Sequence, residues 1–206
     1  MTIRYPNGKP YHINNDKKTS GNQLKKKKPS YSNRGMTLEE DLNATNAYYL
    51  EKNQAVIHKK PIPIQVVNVN YPRRSAAKIT EAYFRKASTT DYNGIYKGRY
   101  IDFEAKETRN KTSFPLKNFH EHQLDHMQKC HDHGGICFVI IRFSALNRVF
   151  LVDFTSIHKW WQQQFKDDKK KSIPLKNIEN EGFEINYKFS PRLPYLDVLD
   201  KLIAQE

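Results

Sequence analysis

The stretch YIDFEAKE, residues 100–107, contains side chains that could perform chemistry. Apolar and charged residues alternate from Ile101 to Lys106, which predicts a β-strand with two unlike faces. Glu104 and Lys106 therefore point to the same face, about 6.5 Å apart along the strand. A carboxylate that holds a cation and an ammonium that contacts the same phosphate suit a metal-dependent phosphodiesterase. A strand with a solvated charged face would show the same alternation, so spacing alone leaves both interpretations open.

A second carboxylate for such a centre must come from a neighbouring strand. Asp91 lies in STTDYNG, near the start of the strand that precedes YIDFEAKE. If these strands form a hairpin that turns near Lys97-Gly98, Asp91 approaches Glu104 across the ladder. Thr89 shares a face with Asp91 and could add an oxygen ligand or hold a metal-bound water.

Positive charge is concentrated in two segments of this 206-residue chain, whose formal net charge is +13. Residues 1–34 contain nine lysines and arginines against one acidic residue, and residues 59–86 contain seven against one. The rest of the chain is close to neutral. This distribution indicates a polyanionic partner, and we favour nucleic acid over an anionic membrane surface because neither segment has the sequence pattern of an amphipathic helix.

The sequence contains neither an apolar run of about 18 residues nor an apolar stretch near its N-terminus. We therefore expect no membrane association and no secretion. The two cysteines, Cys130 and Cys137, are too few for a disulfide framework and favour a reducing compartment. The expected location is the cytoplasm.

The order of predicted elements indicates an α/β fold with a mixed central sheet flanked by helices. Residues 1–35 are polar and basic, and we expect them to form a disordered arm before a folded domain over 36–206. Thr37 and Glu40 predict a capping box at the first helix. ICFVIIRFS and VFLVDF predict buried strands, and Thr155 or Ser156 is expected to cap the helix that follows. A proline-rich basic insertion, at about residues 59–88, is expected to protrude from the sheet.

Histidines and a cysteine recur on the predicted helix before Gly134-Gly135. His122, His126 and Cys130 are four residues apart, with His131 and His133 nearby. Zinc binding is one interpretation, but ligands spread over two turns of a straight helix do not reach one ion. We therefore favour a polar helix face beside the catalytic centre.

The quoted segments together resemble a known family. The Asp91…Glu104-Ala105-Lys106 pattern resembles the signature of the PD-(D/E)XK nuclease superfamily, although Thr90 stands where that signature has proline. More narrowly, the chain is similar to RecU-type Holliday junction resolvases. The similarity extends from Tyr5 to Asp197 through YPNGKPY, GMTLEEDL, AVIHKKPIPIQVVNVNYPRRS, EAYFRKASTTDYNG, IDFEAKET, KTSFPL and PRLPYLD.

This resemblance implies a restriction-endonuclease-like fold and an endonuclease that depends on Mg²⁺, with Mn²⁺ as a substitute ion. The implied metal ligands are Thr89, Asp91, Glu104 and Gln123. Lys106 would stabilise the transition state, or act as the base. Glu39 would be a further catalytic acid, with the division of roles between Glu39 and Glu40 of the predicted cap left open. The family also implies a homodimer that makes paired nicks in four-way junction DNA, and as partners a recombinase and a branch-migration complex.

In the family, the insertion is a stalk that enters the junction. Its basic and aromatic side chains could contact phosphates and unstacked bases, and the predicted DNA-binding residues are Arg73, Arg74, Lys78, Tyr83, Phe84 and Arg85. Tyr83 and Phe84 could instead pack the base of the insertion. Two other functions remain open: a restriction or repair nuclease that cleaves duplex DNA, and an architectural DNA-binding protein without catalytic activity.

Overall fold

The computed structural model describes residues 36–85, 89–166 and 170–204, without the side chain of Arg74. The predicted arm over residues 1–35 lies outside the described residues. The helices are α1 Leu38–Glu51, α2 Glu121–Asp132, α3 Phe154–Lys166, α4 Leu175–Glu181 and α5 Tyr195–Ile203. The strands are β1 Val56–Lys59, β2 Ile64–Asn70, β3 Lys78–Phe84, β4 Tyr92–Tyr96, β5 Arg99–Thr108, β6 Ser113–Pro115, β7 Ile136–Phe143, β8 Arg148–Asp153, β9 Ser172–Pro174 and β10 Gly182–Ile185.

Six of the described strands form a central mixed sheet in the order β1-β4-β5-β7-β8-β10. β5 and β7 are parallel, and each of the other neighbouring pairs is antiparallel. Helix α2 makes the crossover between the parallel strands, as a parallel connection requires. The predicted mixed sheet flanked by helices is confirmed.

Strand β7 forms the centre of the core, because every residue from Ile136 to Phe143 is buried. Its odd-numbered and even-numbered side chains pack into two separate apolar layers. One layer contains side chains of α1 and α5, and the other contains side chains of α2, α3 and α4. Because both faces of β7 are covered, its sequence is continuously apolar rather than alternating. Among the described residues, no helix is both long enough and apolar enough to span a membrane.

The N-terminal cap that the sequence predicts is present at α1 but not at α3. Thr37 and Glu40 form the predicted capping box at α1. Helix α3 begins at Phe154, earlier than expected, and the Asp153 carboxylate accepts a hydrogen bond of 2.9 Å from the Thr155 N–H. The expectation that Thr155 or Ser156 caps this helix is therefore wrong. An acidic residue at the end of β8 provides the cap.

The β4–β5 hairpin turns at Lys97-Gly98, as predicted. Lys97 and Gly98 have φ angles of 49° and 74°, the left-handed pair that a tight hairpin turn requires. The resulting register pairs Tyr92 with Phe103 and Asn93 with Asp102. The Tyr92 and Phe103 rings stack at 4.8 Å between centroids, which fixes the apolar side of the hairpin against the core.

Strands β2 and β3 pair with each other in a separate sheet, within the predicted insertion. Their side chains are exposed on both faces, apart from Val69, which is half-buried. Pairing is irregular between Val66 and Asn68, which indicates a bulge. Pro61 and Pro63 lie in the segment that leads from β1 into this hairpin.

We predict that Gly94→Ala destabilises the fold, because Gly94 lies between β1 and β5. A Cβ at this position would lie 2.1 Å from the Val56 carbonyl oxygen and 2.7 Å from the Ile57 Cα, and both are backbone atoms. Overpacking of this kind lowers the free energy of unfolding by about 1–3 kcal/mol, which thermal unfolding would detect. Gly98→Asn is the matched control, since that position is open and asparagine tolerates a positive φ. Equal stability of the Gly94 variant and the wild type would contradict the prediction.

Candidate active site

Glu104 lies at the centre of a group of predicted site residues. Its carboxylate is buried, with 1% of the residue exposed. Oε1 accepts a hydrogen bond of 2.8 Å from the Gln123 side-chain amide and lies 2.9 Å from the Lys106 ammonium. Oε2 accepts a hydrogen bond of 3.1 Å from the Asp91 backbone N–H. The structure thus brings Asp91, Lys106 and Gln123 together around one carboxylate.

Each of these contacts follows from an element of the fold. The period of β5 places Glu104 and Lys106 on one face, and the hairpin turn sets Asp91 beside Glu104. Helix α2 covers that face and contributes Gln123 from its first turn. The Gln123 side-chain oxygen accepts the His120 N–H at 3.2 Å, so its amide nitrogen faces Glu104.

The burial of Glu104 has an electrostatic consequence. Loss of solvation raises the pKa of this carboxyl to about 7, against the opposing effect of the Lys106 ammonium. The nearby Asp91 carboxylate also raises it. Two acidic groups in a desolvated site are costly when both are charged, and a bound divalent cation would offset that cost.

A cleft next to Glu104 and its partners is lined by further oxygen atoms that could bind a metal ion. Thr89, Asp91 and Gln123 line it, together with Lys59, Lys60, Pro61, Ile62, Pro63, Arg85 and Thr90. The Thr89 hydroxyl donates a hydrogen bond of 3.3 Å to the Thr90 carbonyl. Carboxylates, a hydroxyl and an amide oxygen are the donors that hard cations prefer, so the predicted ligand set fits a metal such as Mg²⁺. For Gln123, ligation through oxygen would require its amide to rotate.

The structure separates the roles of the two acidic residues in the first turn of α1. Glu40 belongs to the capping box. Glu39 forms an ion pair with Lys59 and lines a cavity beside α1 together with Asp91, Tyr92 and Ala105. Glu39 therefore lies near Asp91, in a cavity that Glu104, Lys106 and Gln123 do not line.

The predicted DNA-binding residues lie along the β2–β3 hairpin. Tyr83 and Phe84 are exposed, by 59% and 83%, and so do not pack the base of the insertion. The Tyr83 hydroxyl donates to Glu81, and the Arg85 guanidinium donates to Gln65 at 2.8 and 3.1 Å. Arg73 and Lys78 are exposed near the connection between the strands, while the Arg74 side chain lies outside the description.

Asp102 was not among the predicted site residues, although it shares the face of Glu104. It is fully buried, and its Oδ2 lies 2.7 Å from the Lys60 ammonium. The Tyr100 hydroxyl donates to the same oxygen at 2.7 Å, and the Thr90 hydroxyl donates to Oδ1. The alternating pattern of YIDFEAKE places Asp102 on the face of Glu104, so the sequence contained a signal for its position. The sequence gives no sign that Lys60 would be its partner.

In the structure, His126 and Cys130 lie close together, whereas His122 lies apart from them. His126 lies 3.2 Å from Asp102 and 3.5 Å from the Cys130 sulfur, and the potential ligand atoms of these residues lie within 4.8 Å of one another. His122 stacks instead on His120. Imidazole and thiol groups suit a softer cation such as Zn²⁺. The Lys60 ammonium, 3.4 Å from His126, already supplies positive charge at this point.

Fold and site together define a class. The mixed sheet places Asp91 beside the Glu104-Ala105-Lys106 triplet, the residues through which the sequence resembles PD-(D/E)XK nucleases. Residues 33–201 match the family RecU, described as Recombination protein U. The chain belongs to the RecU family.

Similar proteins extend over the whole chain. A protein of Lactiplantibacillus plantarum named Holliday junction resolvase RecU is 57% identical over 205 residues, covering 100% of this chain and 98% of the relative. A protein of the same name from Geobacillus sp. strain WCH70 is 57% identical over 202 residues, covering 98% of each. The solved structure of Archaeoglobus fulgidus Hjc, a Holliday junction resolvase, aligns with a TM-score of 0.38 and 8% identity, covering 69% of this chain and 94% of that one.

We predict that Glu104→Gln raises the free energy of unfolding of metal-free protein at alkaline pH. The unfolded carboxyl ionises near pH 4.5, but the folded one retains its proton up to about pH 7. The wild type therefore loses stability between these values, and the variant does not. The difference should be small below pH 4.5 and reach about 3 kcal/mol above pH 7.

Denaturant titrations with chelator at pH 4.5, 6 and 8 would measure this difference. Glu51→Gln is the matched control, since it makes the same substitution at an exposed carboxylate on α1. A Glu104 variant less stable than the wild type at pH 8 would show that the contacts with Lys106 and Gln123 outweigh the cost of burial.

Proposed function

We propose that this protein is a magnesium-dependent endonuclease that resolves Holliday junctions by paired, symmetric nicks during DNA recombination and repair. The observation that carries the proposal is the convergence of Asp91, Lys106 and Gln123 on Glu104. This convergence occurs in a chain that matches proteins named Holliday junction resolvase over nearly its full length.

The proposed metal ligands are Thr89, Asp91, Glu104 and Gln123. A bound Mg²⁺, which Mn²⁺ could replace, would polarise the scissile phosphate and lower the pKa of a bound water. In support, these residues provide oxygen donors in or beside one cleft. To act as a ligand, Gln123 would turn its oxygen towards Glu104 and release the His120 N–H.

Lys106 is proposed to stabilise the negative charge that develops on the phosphate. Its side chain is 15% exposed, and the ammonium lies 2.9 Å from Glu104. A positive charge held there before the reaction needs little reorganisation, which is the main requirement for electrostatic stabilisation of a transition state. Glu39 is proposed as a further acid near Asp91, and its ion pair with Lys59 would have to open for it to contact the reacting groups.

The β2–β3 hairpin is proposed to be the stalk that enters the junction. Its exposed basic groups, Arg73, Lys78 and Arg85, would contact phosphates, and the same role is proposed for Arg74. Tyr83 and Phe84 present exposed rings on which unpaired bases could stack. Arg85 lines the cleft beside Asp91, so one basic residue would lie close to both the stalk and the proposed metal site.

The reaction itself suggests an assembly. Two symmetric nicks on opposed strands are most simply made by a two-fold homodimer, so we propose that the protein is a dimer. The expected partners, a recombinase and a branch-migration complex, and a cytoplasmic location are also proposals, which rest on the family.

The central prediction is that the protein nicks an immobile four-way junction in Mg²⁺ and leaves linear duplex of the same sequence intact. The paired nicks should disappear when a chelator is added. The rate of nicking should fall at least 100-fold in Asp91→Asn and in Glu104→Gln, since each substitution removes a charged oxygen ligand. Gel analysis of end-labelled strands would measure both rates. Glu51→Gln, an exposed change on α1, should cleave as the wild type does.

The other possible functions give different results in the same assay. Cleavage of the linear duplex at a similar rate would identify a duplex nuclease. Junction binding without cleavage in Mg²⁺ or Mn²⁺, unaffected by either substitution, would identify an architectural DNA-binding protein.

A further prediction concerns recognition of junction geometry. Arg74→Ala should weaken junction binding about tenfold, but duplex binding much less, because it lies at the connection between β2 and β3. Fluorescence anisotropy with Ca²⁺ in place of Mg²⁺ would measure both affinities, with Lys201→Ala on α5 as the control for net charge. An equal loss on both DNAs would reduce Arg74 to an ordinary phosphate contact.

A further inference from the structure

Lys60 lies where the chain leaves the central sheet for the β2–β3 hairpin. It follows the last residue of β1, and the Pro61-Ile62-Pro63 segment then leads into β2. The returning strand is held to the same segment, because the Arg85 N–H donates to the Pro63 carbonyl at 2.9 Å. Proline fixes φ, so this short connection has little freedom to absorb a displacement of the hairpin.

The Lys60 side chain turns back into the sheet rather than towards solvent. Its ammonium lies 2.7 Å from the Asp102 carboxylate and 2.8 Å from the Thr90 hydroxyl. The Lys60 backbone N–H also donates to the Asp91 carbonyl at 2.7 Å. One residue thereby binds both the active-site strand and the loop that carries the proposed metal ligands.

Asp102 contacts several further side chains beside Lys60. Besides Lys60, its carboxylate accepts hydrogen bonds from the hydroxyls of Tyr100 and Thr90, and it lies 3.2 Å from His126 of α2. Thr90 is the residue between Thr89 and Asp91, and Asp102 is two residues from Glu104 on the same face. A shift of the Asp102 carboxylate would therefore move proposed metal ligands both in the loop before β4 and on β5.

A buried ion pair is seldom the most stable choice for such a position. Desolvation of two charges often cancels their attraction, and an apolar pair of similar volume can be equally stable. What the pair does provide is a fixed geometry, since the ammonium must remain beside its carboxylate. Loss of one partner leaves a buried charge uncompensated, which is the costly case.

We propose that Lys60 and Asp102 are positioning residues that couple the β2–β3 hairpin to the metal-ligand loop at residues 89–91. When the hairpin engages a four-way junction, its displacement is transmitted through Pro61–Pro63 and Lys60 to Asp102 and Thr90. The loop then takes the arrangement that holds the cation. The inference rests on the proposed function and adds to it a physical link between recognition of the junction and assembly of the catalytic centre.

The test compares Lys60→Met, Asp102→Asn and the double variant Lys60→Met/Asp102→Asn in the full-length protein. Single substitutions leave one charge buried, so they should lower the unfolding temperature, and the double variant should recover much of it. Lys52→Met is the control, because it removes a lysine from an exposed ion pair on α1. Each variant is assayed for junction affinity in Ca²⁺, for the single-turnover cleavage rate of bound junction, and for the Mg²⁺ concentration that gives half the maximal rate.

The expected result is a separation of binding from cleavage in the double variant. Junction affinity should stay within threefold of the wild type, the single-turnover rate should fall at least tenfold, and the half-saturating Mg²⁺ concentration should rise at least threefold. A purely structural ion pair would instead give wild-type cleavage once stability is recovered. That outcome would overturn the proposal, and so would a parallel loss of affinity and rate, which would make Lys60 a direct DNA contact.

Thr90 provides a milder test if the Lys60 variants fail to fold. Thr90→Val removes the hydroxyl that joins Lys60 to Asp102, and Thr90→Ser retains it. Slow cleavage and a higher Mg²⁺ requirement in the valine variant, restored by serine, are expected, and equal rates in the two variants would overturn the proposal. Absence of cleavage by the wild type would refute the proposed function itself, whereas a cleaving wild type with unaffected variants would refute only the coupling.

Discussion

Strand β5 must be buried on both faces and still carry charge on one of them. It lies between β4 and β7, and an apolar layer covers each side of the sheet, so its exposed side chains, Tyr100 and Glu107, lie only towards its ends. Its apolar positions meet this constraint by stacking in the core. Its acidic positions meet it with internal cations, since Asp102 pairs with Lys60 and Glu104 with Lys106.

This constraint explains why the site uses residues from distant parts of the chain. A buried carboxylate needs donors from every direction, and one strand can supply few of them. The backbone of the residue before β4, the first turn of α2 and the residue after β1 each contribute groups around Glu104 or Asp102. The same groups that satisfy these carboxylates lie beside the cleft in which a cation and a phosphate are proposed to bind.

The sequence predicted the parts of the site that depend on local periodicity. The alternation in YIDFEAKE placed Glu104 and Lys106 together, and the turn at Lys97-Gly98 placed Asp91 beside them. Lys60 was not predictable, because a lysine after an edge strand normally points to solvent and only the tertiary structure turns it towards Asp102. The same holds for the short strands β6 and β9, whose pairing joins segments far apart in sequence. The start of α3 was misplaced because Asp153 belongs to a buried strand as well as to a cap.

The exposed β2–β3 hairpin has a consequence for how this fold can vary. Because its side chains bury almost no apolar surface, it contributes little to the cooperative stability of the body and should exchange its amide protons faster than β5 or β7. Substitutions along it would therefore be nearly neutral for folding. The surface of the hairpin, and with it the proposed contacts to DNA, could then diversify through successive mutations without the risk of unfolding that accompanies changes in a packed core.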